Sequence, residues 1–221
     1  MTADRWYGLF PATVAKLAGD PEKRQRIKIN LDWLPHPEGE GPITAWATVV
    51  TPYADTDQGL RILPEIGSTV VVGFQAGYPD RPYVLGGTWN GVAPMPDEPT
   101  DENDLRVLRT RSGTRLEFDD TPGAVAVRLS VAGPDGPMHR LTLDDGAGTI
   151  TIESASGATV TLTADGGVKV DATSTVDISA AMVTVDAEMS TFSGTVTCDT
   201  LIATGGGVVS PAYTPGLGNV W

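Results

Sequence analysis

Between Thr149 and Thr204 the apolar residues come in pairs separated by one polar residue: Ile150/Ile152, Val160/Leu162, Val168/Val170, Val176/Ile178 and Val183/Val185. Val196 and Cys198 close the series. The first members of the five pairs lie 10, 8, 8 and 7 positions apart. Period-two alternation is that of a strand with one oily and one polar face. Gly157, Gly166, Gly167 and Gly194 fall between or at the ends of these segments, where the chain needs a corner. A repeat of about eight residues is one strand plus one turn, the unit of a β-helix or prism that grows along one axis. The apolar positions are even-numbered through Ile178, odd at Val183 and Val185, and even again at Val196 and Cys198. A one-residue slip would turn the oily face outward, so turns or bulges are predicted near Ala181–Met182 and Thr191–Phe192.

Residues 1–95 carry a different pattern. Short strand-like runs are predicted at Val14 to Leu17, Ile27 to Leu31, Ala45 to Val50, Thr69 to Phe74 and Tyr83 to Gly86, separated by Pro and Gly clusters. Five strands and almost no helix in this length suit a closed five-stranded barrel of the OB type. Residues 96–104, Pro96 to Asp104, hold two prolines and five acidic residues, which makes them a linker or collar rather than a core strand. Residues 105–148 resume the alternation at Leu116/Phe118, at Val125/Val127/Leu129/Val131 and at Leu141/Leu143. They form a β-strand neck, with turns expected at Asp119 to Gly123 and Asp144 to Gly146. Residues 149–204 are the repeat itself, and 205–221 an uncharged apolar tail.

The repeat poses a burial problem. Each strand offers two or three modest apolar residues, many of them Val, Ala or Thr, and one copy of the chain cannot bury them. Three copies wound about a common axis can: each inner face meets two symmetry mates, and small β-branched residues fill the narrow centre. The fold class expected is all-β, an OB barrel followed by an intertwined trimeric β-helix. Its core would be built from Ile150, Ile152, Val160, Leu162, Val168, Val170, Val176, Ile178, Val183, Val185 and Val196. Seven strands stacked about 4.8 Å apart give a rod of roughly 34 Å.

Composition supports this picture. The chain has 221 residues, rich in turn formers with 26 Gly and 17 Pro. Its formal charge of −13 disfavours nucleic-acid binding, which needs a positive surface. The single cysteine, Cys198, precludes an internal disulfide and is expected as a buried small apolar residue. Met1 to Leu9 contain Asp4 and Arg5 and no apolar run of signal-peptide length, so synthesis in the cytoplasm without a signal peptide is expected.

Candidate chemistry is sparse. His36 and His139 sit in separate segments with no metal-ligand spacing around them, and no G-x-S-x-G elbow occurs. The carboxylates cluster at turns rather than as a facing pair. No catalytic residue, metal or cofactor is therefore assigned, and the chain is expected not to be an enzyme. Trp6, Trp33, Trp46 and Trp89 are expected as core or intersubunit contacts rather than base-stacking platforms. From Thr200 to Trp221 no residue is charged, and Val208, Val209, Tyr213, Leu217, Val220 and Trp221 make an oily strip that water would penalise. This strip either packs back on its own trimer or docks a cap at the tip.

Several long motifs carry a family resemblance. Tyr7-Gly8-Leu9-Phe10-Pro11-Ala12-Thr13-Val14, Asp20-Pro21-Glu22-Lys23 and Arg26-Ile27-Lys28-Ile29 resemble the opening of the phage baseplate central spike (gpV) and VgrG family. So do Trp46-Ala47-Thr48-Val49, the run Leu63 to Phe74, and Gly77-Tyr78-Pro79-Asp80-Arg81-Pro82. The run Arg111 to Asp120 is similar to the start of that family's spike region. The resemblance implies a homotrimer in the baseplate of a contractile phage tail or a phage-like contractile injection system. Hub and tail-tube proteins would bind the OB end, a PAAR-type tip protein would cap the other, and contact with the target membrane would be transient. The large N-terminal domains of full VgrG proteins, a lysozyme-like insert and the His-x-His metal tip of some phage spikes have no counterpart here. The implied role is that of a rigid needle, with a trimeric receptor-binding tail fibre or adhesin as the alternative.

Overall fold

The computed structural model describes residues 5–36, 39–133 and 136–205, with only the backbone at 136–138. The chain divides into two units, Met1–Thr173 and Ser174–Trp221. No described helix is long and apolar enough to cross a membrane.

The first unit begins with strands β1 (Phe10–Lys16), β2 (Ile27–Asn30) and β3 (Thr44–Val49). A small hairpin follows, β4 (Ala54–Asp55) and β5 (Gln58–Gly59), which the alternation did not predict because each arm has two residues. Strands β6 (Thr69–Phe74) and β7 (Pro82–Gly87) come next, joined through a 3-10 turn at Gln75–Gly77. Five of these strands close into a barrel in the order β1-β2-β3-β7-β6, antiparallel throughout except for the β3/β7 pair. This is the OB-type barrel expected from the five strand-like runs. In the closed barrel the alternation sorts the side chains: Ile27 and Ile29, Val70 and Val72, and Ala12 and Val14 point inward, while their neighbours face out. These six, with Leu31, Ala47 and Val84, make the core, none more than 3% exposed. Bulges at Val14/Lys16 and Val71/Val72 supply the extra bend that a small barrel requires.

An aromatic cluster packs on the core. Trp33 stacks on Phe10 at 4.6 Å, and Trp6 meets both Trp33 and Phe74 edge-on at 5.0 Å. Trp89, by contrast, is exposed. The loop between β1 and β2 is organised by one carboxylate. Asp20 accepts backbone N–H bonds from Glu22, Arg24 and Arg26 and two more from the Arg26 guanidinium, at 2.8 to 3.3 Å. The Arg26 bonds hold the Asp20 carboxyl far below the usual carboxylate range.

Seven further strands follow the acidic linker: β8 (Leu105–Arg109), β9 (Arg115–Asp119), β10 (Ala126–Gly133), β11 (Gly136–Asp144), β12 (Thr149–Glu153), β13 (Thr159–Thr163) and β14 (Val168–Asp171). They form one antiparallel meander in sequence order. The turns have the predicted chemistry: Asp119 accepts bonds from the Thr121 N–H and hydroxyl, and Asp144 from the Ala147 N–H. The sheet continues across residue 149, where the change of spacing suggested a boundary between neck and repeat.

In the second unit, the described residues 174–205 form no strand and are exposed throughout. The alternating pairs Val176/Ile178 and Val183/Val185, and Val196, thus have no ladder among the described residues. Cys198 is exposed rather than buried, because no strand of its own chain lies over it. Bends do occur at Ala181 and at Ser193–Gly194, close to both predicted changes of parity. The tail positions Val208, Val209, Tyr213, Leu217, Val220 and Trp221 lie outside the described residues.

Candidate functional site

Directly opposed residues in an antiparallel ladder share a face. The register therefore sorts the meander into two surfaces. One column of apolar side chains runs Phe118, Val127, Leu143, Ile150, Leu162, Val168. A second runs beside it through Leu108, Leu116, Leu129, Leu141, Ile152, Val160 and Val170. Six of the eleven candidate core residues are thus brought together on one face: Ile150, Ile152, Val160, Leu162, Val168 and Val170. The face extends toward the barrel through seven residues from Leu108 to Leu143 that the eight-residue repeat alone did not include. Their alternation marks them as strand residues, and the ladder register places them on this face.

The burial pattern on these strands is inverted relative to a self-sufficient sheet. In Thr149–Glu153 the threonines are half-buried while Ile150 and Ile152 are exposed, Ile152 at 53%. The same holds for Phe118 against Glu117 and for Leu129 against Arg128. Val168 reaches 69%. Fully burying one such side chain is worth about 1.5–3 kcal/mol. Nine of the thirteen are exposed, and covering them is worth an amount comparable with the ~5–15 kcal/mol that holds a typical domain together.

The opposite face is polar and carries an ion-pair network. Arg115 binds Asp97 of the acidic linker in a two-pronged contact at 2.9 Å and also pairs with Glu117. Arg128 bridges Glu117 at 2.8 Å and Asp119 at 2.7 Å. The Arg128 and Thr121 bonds pull the Asp119 carboxyl down to about 2. The acidic linker or collar is thus pinned to the sheet at Asp97. The Arg115-x-Glu117-x-Asp119 alternation was the available signal for this network, which sequence reasoning missed. Beyond it lie threonines Thr142, Thr151 and Thr161 in one row.

Elsewhere the described residues offer little reactive chemistry. His36 and His139 are exposed, and no group of three metal-ligating side chains occurs among the described residues. A cleft of about 300 Å³ on the barrel is lined by Arg24, Arg26 and Arg81 with Trp46 and Tyr83. Each of these arginines is matched by a carboxylate: Arg24 and Arg26 by Glu22, Arg26 also by Asp20, and Arg81 by Asp80. Such neutralised arginines do not make the positive groove that a nucleic acid requires.

Residues 10–89, which span the whole barrel, match the family model of the type VI secretion system/phage-baseplate injector OB domain. The match takes in the barrel, 80 of the 221 residues. Similar proteins carry the same kinship, which the motifs at Tyr7 to Val14 and Leu63 to Phe74 implied. The type VI secretion system spike protein VgrG3 of Vibrio cholerae serotype O1 is 27% identical over 109 residues, 47% of this chain and 11% of that protein. VgrG1c, a type VI secretion system spike protein of Pseudomonas aeruginosa, is 31% identical over 90 residues, 41% of this chain and 12% of its own. The actin cross-linking toxin VgrG1, also of Vibrio cholerae serotype O1, is 28% identical over 130 residues, 55% of this chain and 12% of its own. The chain thus spans roughly an eighth of the length of these relatives.

Proposed function

We propose that the chain is a structural subunit of the central spike of a contractile injection machine, working as a homotrimer. The observation that carries this reading is the inverted burial of the sheet: apolar columns bare, polar face ion-paired. Three copies with their oily faces turned to a common axis cover those columns. The threefold wrapping also provides partner strands for Val176, Ile178, Val183, Val185 and Val196, which have none among the described residues. Kinship with VgrG spike proteins through the injector OB domain supports the same reading.

In this arrangement the barrel seats the trimer under a hub and tail tube, and the sheet and the segment beyond it extend as a stiff rod. Backbone hydrogen bonds along a stack of strands resist compression, because every interior N–H and C=O is paired. Sheath contraction would then drive the rod against the target envelope, with transient membrane contact and no bond made or broken by a side chain. The particle is a phage virion tail or its cell-encoded counterpart, assembled from a cytoplasmic subunit. The apolar tail, including Val208, Tyr213 and Trp221, would receive a PAAR-type cap. Sedimentation of the full chain tests the proposal: a trimer resistant to SDS or heat is expected, and a monomer at micromolar concentration would overturn it. Deletion of the gene should abolish particle assembly; intact particles that fail to attach would favour an adhesin instead.

A further inference from the structure

The meander sheet ends on an open edge. Its last strand, β14, is bonded to β13 on one side and to no described strand on the other, and all four of its residues are exposed. An edge of this kind is a template for another strand. Val168 and Val170 lie on the apolar face, and Val176 and Ile178 repeat their spacing eight residues on. Yet residues 174–205 form no strand, and among the described residues none of them takes part in a backbone hydrogen bond.

The corners explain the change. The β12/β13 reversal closes through the Ser154 N–H on the Ala158 carbonyl at 2.9 Å, and the β13/β14 reversal through the Thr163 N–H on the Gly167 carbonyl at 3.0 Å. Each turns on a glycine in the left-handed region, Gly157 at φ 83° and Gly166 at φ 84°. Between Gly167 and Gly194 the chain has no Gly, Asn or Pro. The residues after β14 are Ala172-Thr173-Ser174, and a β-branched threonine is poorly suited to a left-handed turn. A tight in-chain reversal is therefore disfavoured here. A parallel return onto β14 needs a crossover of about a dozen residues, far more than these three. Beyond them come bends at Ala181, Glu188 and Ser193–Gly194 in place of hydrogen-bonded turns.

We propose that the free edge of β14 takes residues 175–178 of a neighbouring copy as a parallel strand, and that the loss of turn glycines after Gly167 sets this hand-over point. The inference rests on the threefold reading above and names the contact that interlocks the copies. A chain that does not double back continues around the axis in one sense. Threefold symmetry then sets its segment 175–178 on the next face, against that copy's β14 and running in the same direction. Val176 and Ile178 thereby extend the columns that end at Val168 and Val170. Lys169, which reaches Asp171 of its own strand at 2.7 Å, stands opposite Asp177 of the next copy.

The test uses the full chain with Cys198→Ser as background and one cysteine on each segment. Lys169→Cys with Asp177→Cys, and Asp171→Cys with Ser179→Cys, each fall within disulfide reach across the hand-over. After oxidation of the native protein, both pairs should run as covalent trimers on a non-reducing denaturing gel, and each single-cysteine variant as a monomer. The first pair would also meet in an in-chain hairpin centred on Thr173, giving a linked monomer, whereas the second pair would not. Links between copies in the first pair alone would overturn the parallel sense. In a chain that sedimentation shows to be trimeric, in-chain links, or no links in either pair, would overturn the hand-over and leave the threefold reading standing. A monomeric parent chain would overturn that reading itself.

Discussion

The barrel and the meander sheet are written in the same alternating code and meet opposite fates. In β2 and β6 the alternating Ile and Val residues are sealed inside, at 0 to 1% exposure. In β12 and β13 Ile150, Ile152 and Leu162 are exposed and Val160 only half-buried. The difference is curvature and closure. A five-stranded sheet that bulges twice returns to its first strand and makes its own interior. A seven-stranded meander without closure has one face to hide and nothing of its own chain to hide it. Alternation therefore states that a face will be buried, and topology states whether the burial is internal or borrowed.

The sharpest way to break this comparison is to place charge on each face. On the proposed threefold reading, Ile152→Asp should give a monomer without SDS resistance, because three carboxylates would converge on the axis. The barrel should remain folded in that variant, as judged by its tryptophan fluorescence. A trimer that survives Ile152→Asp would show that the apolar columns are not the contact. In the barrel, Ile29→Ala removes a fully buried side chain and should cost about 2–5 kcal/mol in urea unfolding, with the trimer mass unchanged.

Acid should weaken both regions in the same window. Asp20 and Asp119 have folded-state pKa values below the ordinary 3.8, Asp119 at about 2. Their contribution is fully present above about pH 4 and lost as the pH falls toward 2, because the unfolded chain then binds protons that the folded chain refuses. Melting temperature measured from pH 6 to 2 should therefore fall below pH 4, and Asp119→Asn should flatten the part of that slope arising in the sheet. The smallest effect expected is at the linker. Asp97→Asn removes one partly exposed ion pair with Arg115, worth about 0.5–1 kcal/mol. Faster proteolysis between residues 96 and 104, with melting nearly unchanged, would report the released collar.

Much of the barrel was readable in the sequence because each strand announces itself locally. Ile27-Lys28-Ile29-Asn30 and Thr69 to Phe74 alternate, and Pro and Gly clusters separate them. The hairpin at Ala54–Gly59 was not readable, since two-residue strands carry no period. The candidate site was legible in part. Ile150 through Val170 were found from their spacing, but Leu108 to Leu143 belong to the same face only through the ladder register. The Arg115, Arg128, Glu117 and Asp119 network was missed because its members lie on two neighbouring strands, β9 and β10. Asp97 joins them from 18 residues before Arg115 in the chain.

Alternation, turn residues and the uncharged tail belong to the sequence alone, and so does the conclusion that a long oily stripe must be covered. These are local or additive properties, and a one-dimensional pattern carries them intact. Tertiary structure decided the rest: which strands close on themselves, which apolar columns stay exposed, and which carboxylates meet Arg115 and Arg128. Those outcomes depend on register and closure between strands distant in the chain. No local preference encodes them, because the same Ile-x-Ile motif is equally stable facing its own barrel or a neighbouring copy.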